Sequence, residues 1–390
     1  MRKIIKELQL MDKGHTAREI ISQPGLWQET YETVLARKDE IKKFMDSLCR
    51  QRDLQIILTG AGSSAFIGEI LQYSFHRNTG RPIRAVPTTD LVTHPGDFFQ
   101  SAVPTLLVSF ARSGDSPESI ASYELAENMI DKVFHLVITC NPEGKLAAKA
   151  SAAGNAFFLL LPEGTNDQAL AMTSSFTSMT LAGLLVAEID RIEENRAHVK
   201  GLVAAAAGIL DKYTAALQGV ADLDFQRIVF LGSGPLKGSA QEAHLKVIEL
   251  TDGKINCQYD SFLGFRHGPK AIIDASTLLV YLFSNDPHVT QYERDLVASI
   301  NETEEFLYSI GIRQTGPLSG HLDLEIIPDP ASPLIPDDFL AICSVIPAQL
   351  LGLYKSLALG LTPDAPSRNG GIHRVVQGVT IYPYPEKHDQ

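Results

Sequence analysis

The sequence predicts an α/β protein of two tandem domains, each a parallel sheet flanked by helices, preceded by an N-terminal helical arm. Three observations carry this. Short, continuous apolar runs alternate with helical stretches, the pattern of strands covered on both faces. Twice, an apolar run ends in a glycine turn and passes into a helix, at Gly60-Ala61-Gly62 and at Gly232-Ser233-Gly234. The length of 390 residues exceeds one ordinary core and suits two.

The elements follow in order. Residues 1–52 form a charged helical arm, expected to break near Pro24-Gly25 and to act as a lead-in rather than a domain. The first strand is expected over 54–59 and its helix over 65–73. Further strands are expected at 105–110, 133–139 and 157–161, with helices between them. The alanine-rich, charged stretch 188–223 is expected to be helical and to join the halves. The second half opens with a strand over 227–231 and a helix over 238–250. Later strands are expected at 277–283 and 324–327, and a long apolar helix over 339–359, kinked at Pro347, closes the fold. This divides the chain into an arm (1–52), two domains (53–200 and 201–365) and a tail (366–390). The two strand–turn–helix units look like an internal duplication.

Composition narrows the function. A formal net charge of −12 excludes a general grip on nucleic acid, which needs a basic face. A few local donors still suffice to hold one phosphate. Cys49, Cys140, Cys257 and Cys343 are scattered without metal-ligand spacing, which implies reduced thiols in a cytoplasmic protein. The first residues, Met1-Arg2-Lys3-Ile4-Ile5, lack the apolar core of a signal peptide, and no apolar run is expected to span a membrane. No metal and no cofactor is expected.

Chemistry-bearing motifs sit at the strand ends. Gly60-Ala61-Gly62-Ser63-Ser64-Ala65 matches the loose dinucleotide pattern, but residues 77–82 lack the acidic partner such a site uses. The serines suit a sugar phosphate better, so Gly62, Ser63 and Ser64 are candidate anion ligands; the alternative is a plain tight turn. The run Ala111-Arg112-Ser113-Gly114-Asp115-Ser116-Pro117 follows a buried strand and opens a helix. Arg112, Ser113 and Ser116 are candidate phosphate ligands; the alternative for the serines is simple N-capping. In the second half, Glu242, Lys246 and Glu249 lie at i, i+4 and i+7 and share one helix face. That is either a solvated stripe or a proton-transfer site. His267 stands in a loop before Gly268-Pro269.

The strand followed by Ser-Gly-Asp-Ser resembles the phosphate-binding loop of sugar isomerase (SIS) domains. Nearly the whole chain is similar to the isomerase half of glucosamine-6-phosphate synthase, and Thr16 to Pro24 resembles that family's entry segment. Closer still, it resembles the AgaS family of galactosamine-6-phosphate deaminase/isomerases, also called tagatose-6-phosphate ketose/aldose isomerases. The resemblance implies that Glu249 is the base shuttling a proton between neighbouring sugar carbons. It implies that Lys246 is an active-site lysine, and that His267 assists ring opening from the neighbouring subunit of a homodimer or larger homo-oligomer. Ser64, Arg112, Ser113 and Ser116 match the sugar-phosphate contacts. Gln377 stands where the synthase carries a Schiff-base lysine; it cannot form that adduct, and the glutaminase domain is absent. His373 and Arg374 add polar groups that help close the site. The implied reaction is deaminating isomerisation of galactosamine 6-phosphate to tagatose 6-phosphate and ammonia. The alternatives are isomerisation of a neutral sugar phosphate, a non-catalytic sugar-phosphate sensor, and an NAD-dependent enzyme.

Overall fold

The computed structural model describes residues 14–314, 321–328 and 333–384. The expectations for the first residues of the chain, for 385–390 of the tail and for the Cys49 side chain lie outside the described residues.

Two five-stranded sheets, all parallel, form the frame. The first is ordered β2-β1-β3-β4-β5 and the second β10-β9-β8-β6-β7. Renumbered from their own first strands, the two orders are the same doubly wound pattern, so the duplication extends to topology. β1 (Gln55–Thr59), β3 (Thr105–Ala111) and β4 (Val133–Thr139) are apolar because helices cover both faces; every residue of β3 is buried. β5 (Ala156–Leu160), β6 (Arg227–Gly232), β8 (Thr277–Leu282) and β10 (Leu324–Ile326) lie within a residue of their expected positions.

Three strands were not legible. β2 (Ile83–Ala85) has only three residues, and β7 (Asn256–Asp260) is mostly polar. β9 (Tyr308–Ile312) is internal, but glycine and serine dilute its apolar run. The closing apolar stretch is two helices, Asp337–Cys343 and Ile346–Ala358, with Pro347 in the first turn of the second, where a missing N–H costs nothing. Contrary to expectation, residues Asp337–Ala358 are long and apolar enough to cross a membrane. They are a core element instead, with 94 % of their most apolar window buried inside the molecule.

The N-terminal segment also departs from expectation. The helix His15–Ala36 runs straight through Pro24. A proline here leaves the carbonyl four residues earlier, Ile20, without its helical donor, at a typical cost of about 3 kcal/mol. Gln23 repairs the gap: its Nε2 donates to Ile20 O at 2.9 Å and to Gln349 Oε1 at 2.7 Å. Trp27 and Tyr31 are fully buried, and Trp27 Nε1 donates to Thr177 Oγ1 at 3.0 Å on the helix Ser174–Ala187. The arm is part of the core.

The helices that follow the two glycine turns, Ser63–Thr79 and Pro235–Leu250, pack against each other. Gly238 permits the close approach, since a Cβ there would lie 2.6 Å from Ile70 Cγ1 and 3.0 Å from Ile70 N. This contact sets the first-half turn beside the second-half helix, and the site is built on that seam.

Candidate active site

The first glycine turn and the serine loop leave the carboxyl ends of β1 and β3, which are neighbours in the sheet. Their connections depart to opposite sides, so this is the switch point where parallel sheets open a crevice. Gly62 has φ +56°, a conformation that favours glycine, and leads into the helix Ser63–Thr79; Gly234 repeats this at φ +54° in the second half.

Ser116 occupies the N-cap position of the helix Pro117–Met129 but makes no side-chain cap bond. Its hydroxyl donates to Ser119 Oγ at 2.6 Å, so capping does not explain this serine. The loop is braced from outside: Asn141 Nδ2 donates to Ser113 O at 2.8 Å, and Lys145 N donates to Asp115 Oδ1 at 3.1 Å. Arg112 is buried, and its Nη1 donates to the carbonyls of Ala169 (3.3 Å) and Leu170 (3.0 Å) while Nη2 donates to Arg374 O. Burial pushes the Arg112 pKa down, and the nearby Arg374 adds to the push. A buried guanidinium with only carbonyl partners, beside a second cation, makes this wall a place for an anion.

Across the seam stand the three helix residues. Lys246 is fully buried; its Nζ lies 2.7 Å from Glu249 Oε2, 3.2 Å from Glu242 Oε1 and 3.0 Å from Ser63 Oγ. Burial pushes the Lys246 pKa down, but the two carboxylates outweigh it and the net direction is up. Glu242 is fully buried as well, and its carboxyl is pushed up to about 7 by burial and by Glu249, against the pull of Lys246 and Ser63. Ser63 Oγ donates to Glu242 Oε1 at 3.1 Å, so this serine serves the carboxylates rather than the phosphate wall. Glu249 keeps about a quarter of its side chain exposed, at 23 %. It is the member of the trio that reaches open space.

That space is a cavity of about 310 Å³, at the small end of the usual range for small-molecule sites. Gly62, Ser63, Ser64, Arg112, Ser113, Ser116, Glu249 and Gln377 all line it, so eight of the ten sequence candidates share one wall system. Lys246 lies just behind, in contact with Glu249. The tail residues His373 and Arg374 line it too; Arg374 is pinned by Nε to Asp167 O and by Nη2 to Asn166 Oδ1, both at 2.8 Å. His267 is not among the lining residues: it is exposed, in the loop after the short helix Phe262–Phe265. Two contributors escaped the sequence reading and a third was only partly visible. Glu242 was visible only as one member of a charged stripe. Asn141 and Met172 carry no motif, although Met172 lines the cavity and its sulfur takes the Ser64 hydroxyl at 3.8 Å. Among the described residues, no group of three metal-ligating side chains occurs.

Comparison with known proteins shows the family of the chain. The SIS domain family matches residues 48–189. The chain is 42 % identical over 370 residues to D-galactosamine-6-phosphate deaminase AgaS of Escherichia coli, covering 95 % of this chain and 96 % of that one. The chain belongs to the AgaS family of SIS-domain proteins. The crystal structure of tagatose-6-phosphate ketose/aldose isomerase from Escherichia coli superposes with a TM-score of 0.87 at 40 % identity, over 95 % of this chain and 97 % of that one. The fold alone extends further. The C-terminal domain of glucosamine-fructose-6-phosphate aminotransferase from Francisella tularensis matches with a TM-score of 0.74 at 19 % identity, over 90 % of this chain and 98 % of that one.

Proposed function

We propose that this AgaS-family protein converts galactosamine 6-phosphate and water into tagatose 6-phosphate and ammonia, a hydrolysis of a C–N bond that begins with isomerase chemistry. The observation that carries the reading is Glu249, a carboxylate reaching into a cavity whose opposite wall holds a buried arginine and a serine loop. The loop of Ser113 and Ser116, with Arg112 behind it, takes the phosphate. That remote anchor holds the first two carbons of the open-chain sugar against Glu249. Glu249 removes the proton from the carbon bearing the amine and returns it to the neighbouring carbon, leaving an imine. Water adds to the imine and ammonia departs. Lys246 holds the Glu249 side chain in place through the 2.7 Å contact, and Glu242 balances Lys246 from behind. Gln377 and the tail residues 371–376 complete the wall over the sugar.

Ring opening falls to His267 in this reading. Its exposed loop lies outside the cavity of its own chain, which fits donation to the site of a second copy. A homodimer is then the smallest active unit.

The name of the solved Escherichia coli relative favours a second reading, isomerisation of a neutral ketose or aldose phosphate. Product stoichiometry separates the two. Purified protein given galactosamine 6-phosphate is expected to release one ammonia for each ketose 6-phosphate formed. Ketose formation from a neutral aldose phosphate, with no ammonia from galactosamine 6-phosphate, would replace the deaminase by the isomerase.

A further inference from the structure

We infer that Glu19, in the first turns of the N-terminal helix, is a positioning residue for the sugar-phosphate site. Glu19 lies far from Glu249 in sequence and lines no part of the cavity. Its Oε1 accepts from Gln168 N at 2.6 Å and from Ala169 N at 3.3 Å. The same short strap turns its carbonyls the other way: Ala169 O and Leu170 O receive Arg112 Nη1. Glu19 therefore fixes the two peptides, 167–168 and 168–169, that immediately precede the two whose carbonyls orient the buried guanidinium.

The strap has no regular secondary structure of its own, so its conformation depends on these anchors. Asp364 supplies a second, beside the bonds from Arg374 to Asp167 O and Asn166 Oδ1. Its carbonyl accepts from Leu170 N at 3.1 Å, while its carboxylate accepts from the amides of His15 (3.0 Å) and Thr16 (2.8 Å) at the start of the same helix. Helix, strap and tail are one closed hydrogen-bonded unit, with Arg112 at its inner edge. Glu19 is itself only 8 % exposed, and its Oε2 has no partner. An acidic side chain held in such a place for fold stability alone would be poorly chosen, since burial and the nearby Asp167 push its carboxyl up to about 7. Its two backbone bonds give it another role, that of holding the strap.

This inference rests on the reading that Arg112 helps bind the sugar phosphate. The test compares wild type, Glu19→Ala, Glu19→Gln and Val34→Ala. Val34 is fully buried on the same helix, about four turns further on, and serves as a control for general loss of stability. Two quantities are measured: KM and kcat for ammonia release from galactosamine 6-phosphate, and amide hydrogen exchange in residues 166–172. Glu19→Ala is expected to raise KM roughly tenfold with kcat changed less than about threefold, and to speed exchange in the strap roughly tenfold. Glu19→Gln keeps an oxygen for both amides and is expected to return both quantities to within about threefold of wild type. Val34→Ala is expected to lower Tm and leave both unchanged. Unaltered strap exchange in Glu19→Ala would overturn the inference, as would an equal rise of KM in Val34→Ala. A wild type that turned over no amino sugar phosphate would refute the proposed function instead, and the exchange data would still decide whether Glu19 holds the strap.

Discussion

The two halves of the molecule share a topology and a glycine turn, yet only the first half leaves its strand-end donors to a ligand. After β3, Arg112 bonds only to carbonyls, and among the described residues no carboxylate is bonded to Arg112, Ser113 or Ser116. After β8, the equivalent donors are all taken by the protein. Ser284 N donates to Glu293 Oε2 at 3.0 Å, Asn285 N to Asp337 Oδ1 at 2.7 Å, Asp286 N to Ser284 Oγ at 2.9 Å, and the Ser284 hydroxyl to Asp337 Oδ2. The second turn opens on a larger cavity, about 650 Å³, but Asp286, Asp337 and Asp338 line it. The lesson is one of hydrogen-bond satisfaction. The same backbone geometry is an anion site when its donors face open space and a structural joint when a side-chain carboxylate fills them.

The sharpest way to break this comparison is to remove the carboxylate each half depends on. Glu249→Gln is expected to lower kcat for ammonia release by about 100- to 10,000-fold, the usual range for a lost general base. Asp337→Asn is expected to leave kcat within about twofold, because its loss affects only local hydrogen bonding. Equal losses would mean that the second turn takes part in the reaction. A smaller effect separates the two serine sets. Ser113→Ala is expected to raise KM by about five- to tenfold, one charge-assisted hydrogen bond to phosphate, whereas Ser284→Ala leaves KM unchanged and lowers Tm. Steady-state kinetics and thermal melts check both.

The mildest contrast is in pH, where the two cavities should agree. Glu242 in the first site and Glu293 behind the second turn are both pushed up to about 7, chiefly by burial. Each binds its proton more tightly folded than unfolded. The stability each contributes is therefore fully present below about pH 4.5, the unfolded value, and is lost as pH rises through about 7. Tm is expected to fall over that window, and Glu293→Gln to flatten part of the fall. A Tm that rose with pH over the same range, in wild type and variant alike, would contradict the assignment.

How much of this was legible depended on whether the physics was local. β3 and β4 announced themselves because burial on both faces demands unbroken apolar runs. β2 and β7 did not, since β2 has only three residues and the run of β7 is mostly polar. Pro24 misled because a proline's local cost is visible in sequence while the repair by Gln23 and Gln349 is a contact across 326 residues. At the site, the serine loop and the Glu249 helix were legible as residue types at fixed spacing. What brings them together, the packing of two turn-following helices at Gly238, was not. Glu19 and the 168–170 strap were invisible as a site for the same reason: their bonds join segments about 150 residues apart.

The central claim is that one of two duplicated strand-end cavities holds the sugar phosphate. A crystal structure of Glu249→Gln soaked with galactosamine 6-phosphate tests it most directly. The phosphate is expected between Arg112, Ser113 and Ser116, with the amine-bearing carbon against residue 249, and the second cavity empty. Sugar phosphate seated at Ser233 and Asn285, with the first cavity vacant, would contradict it.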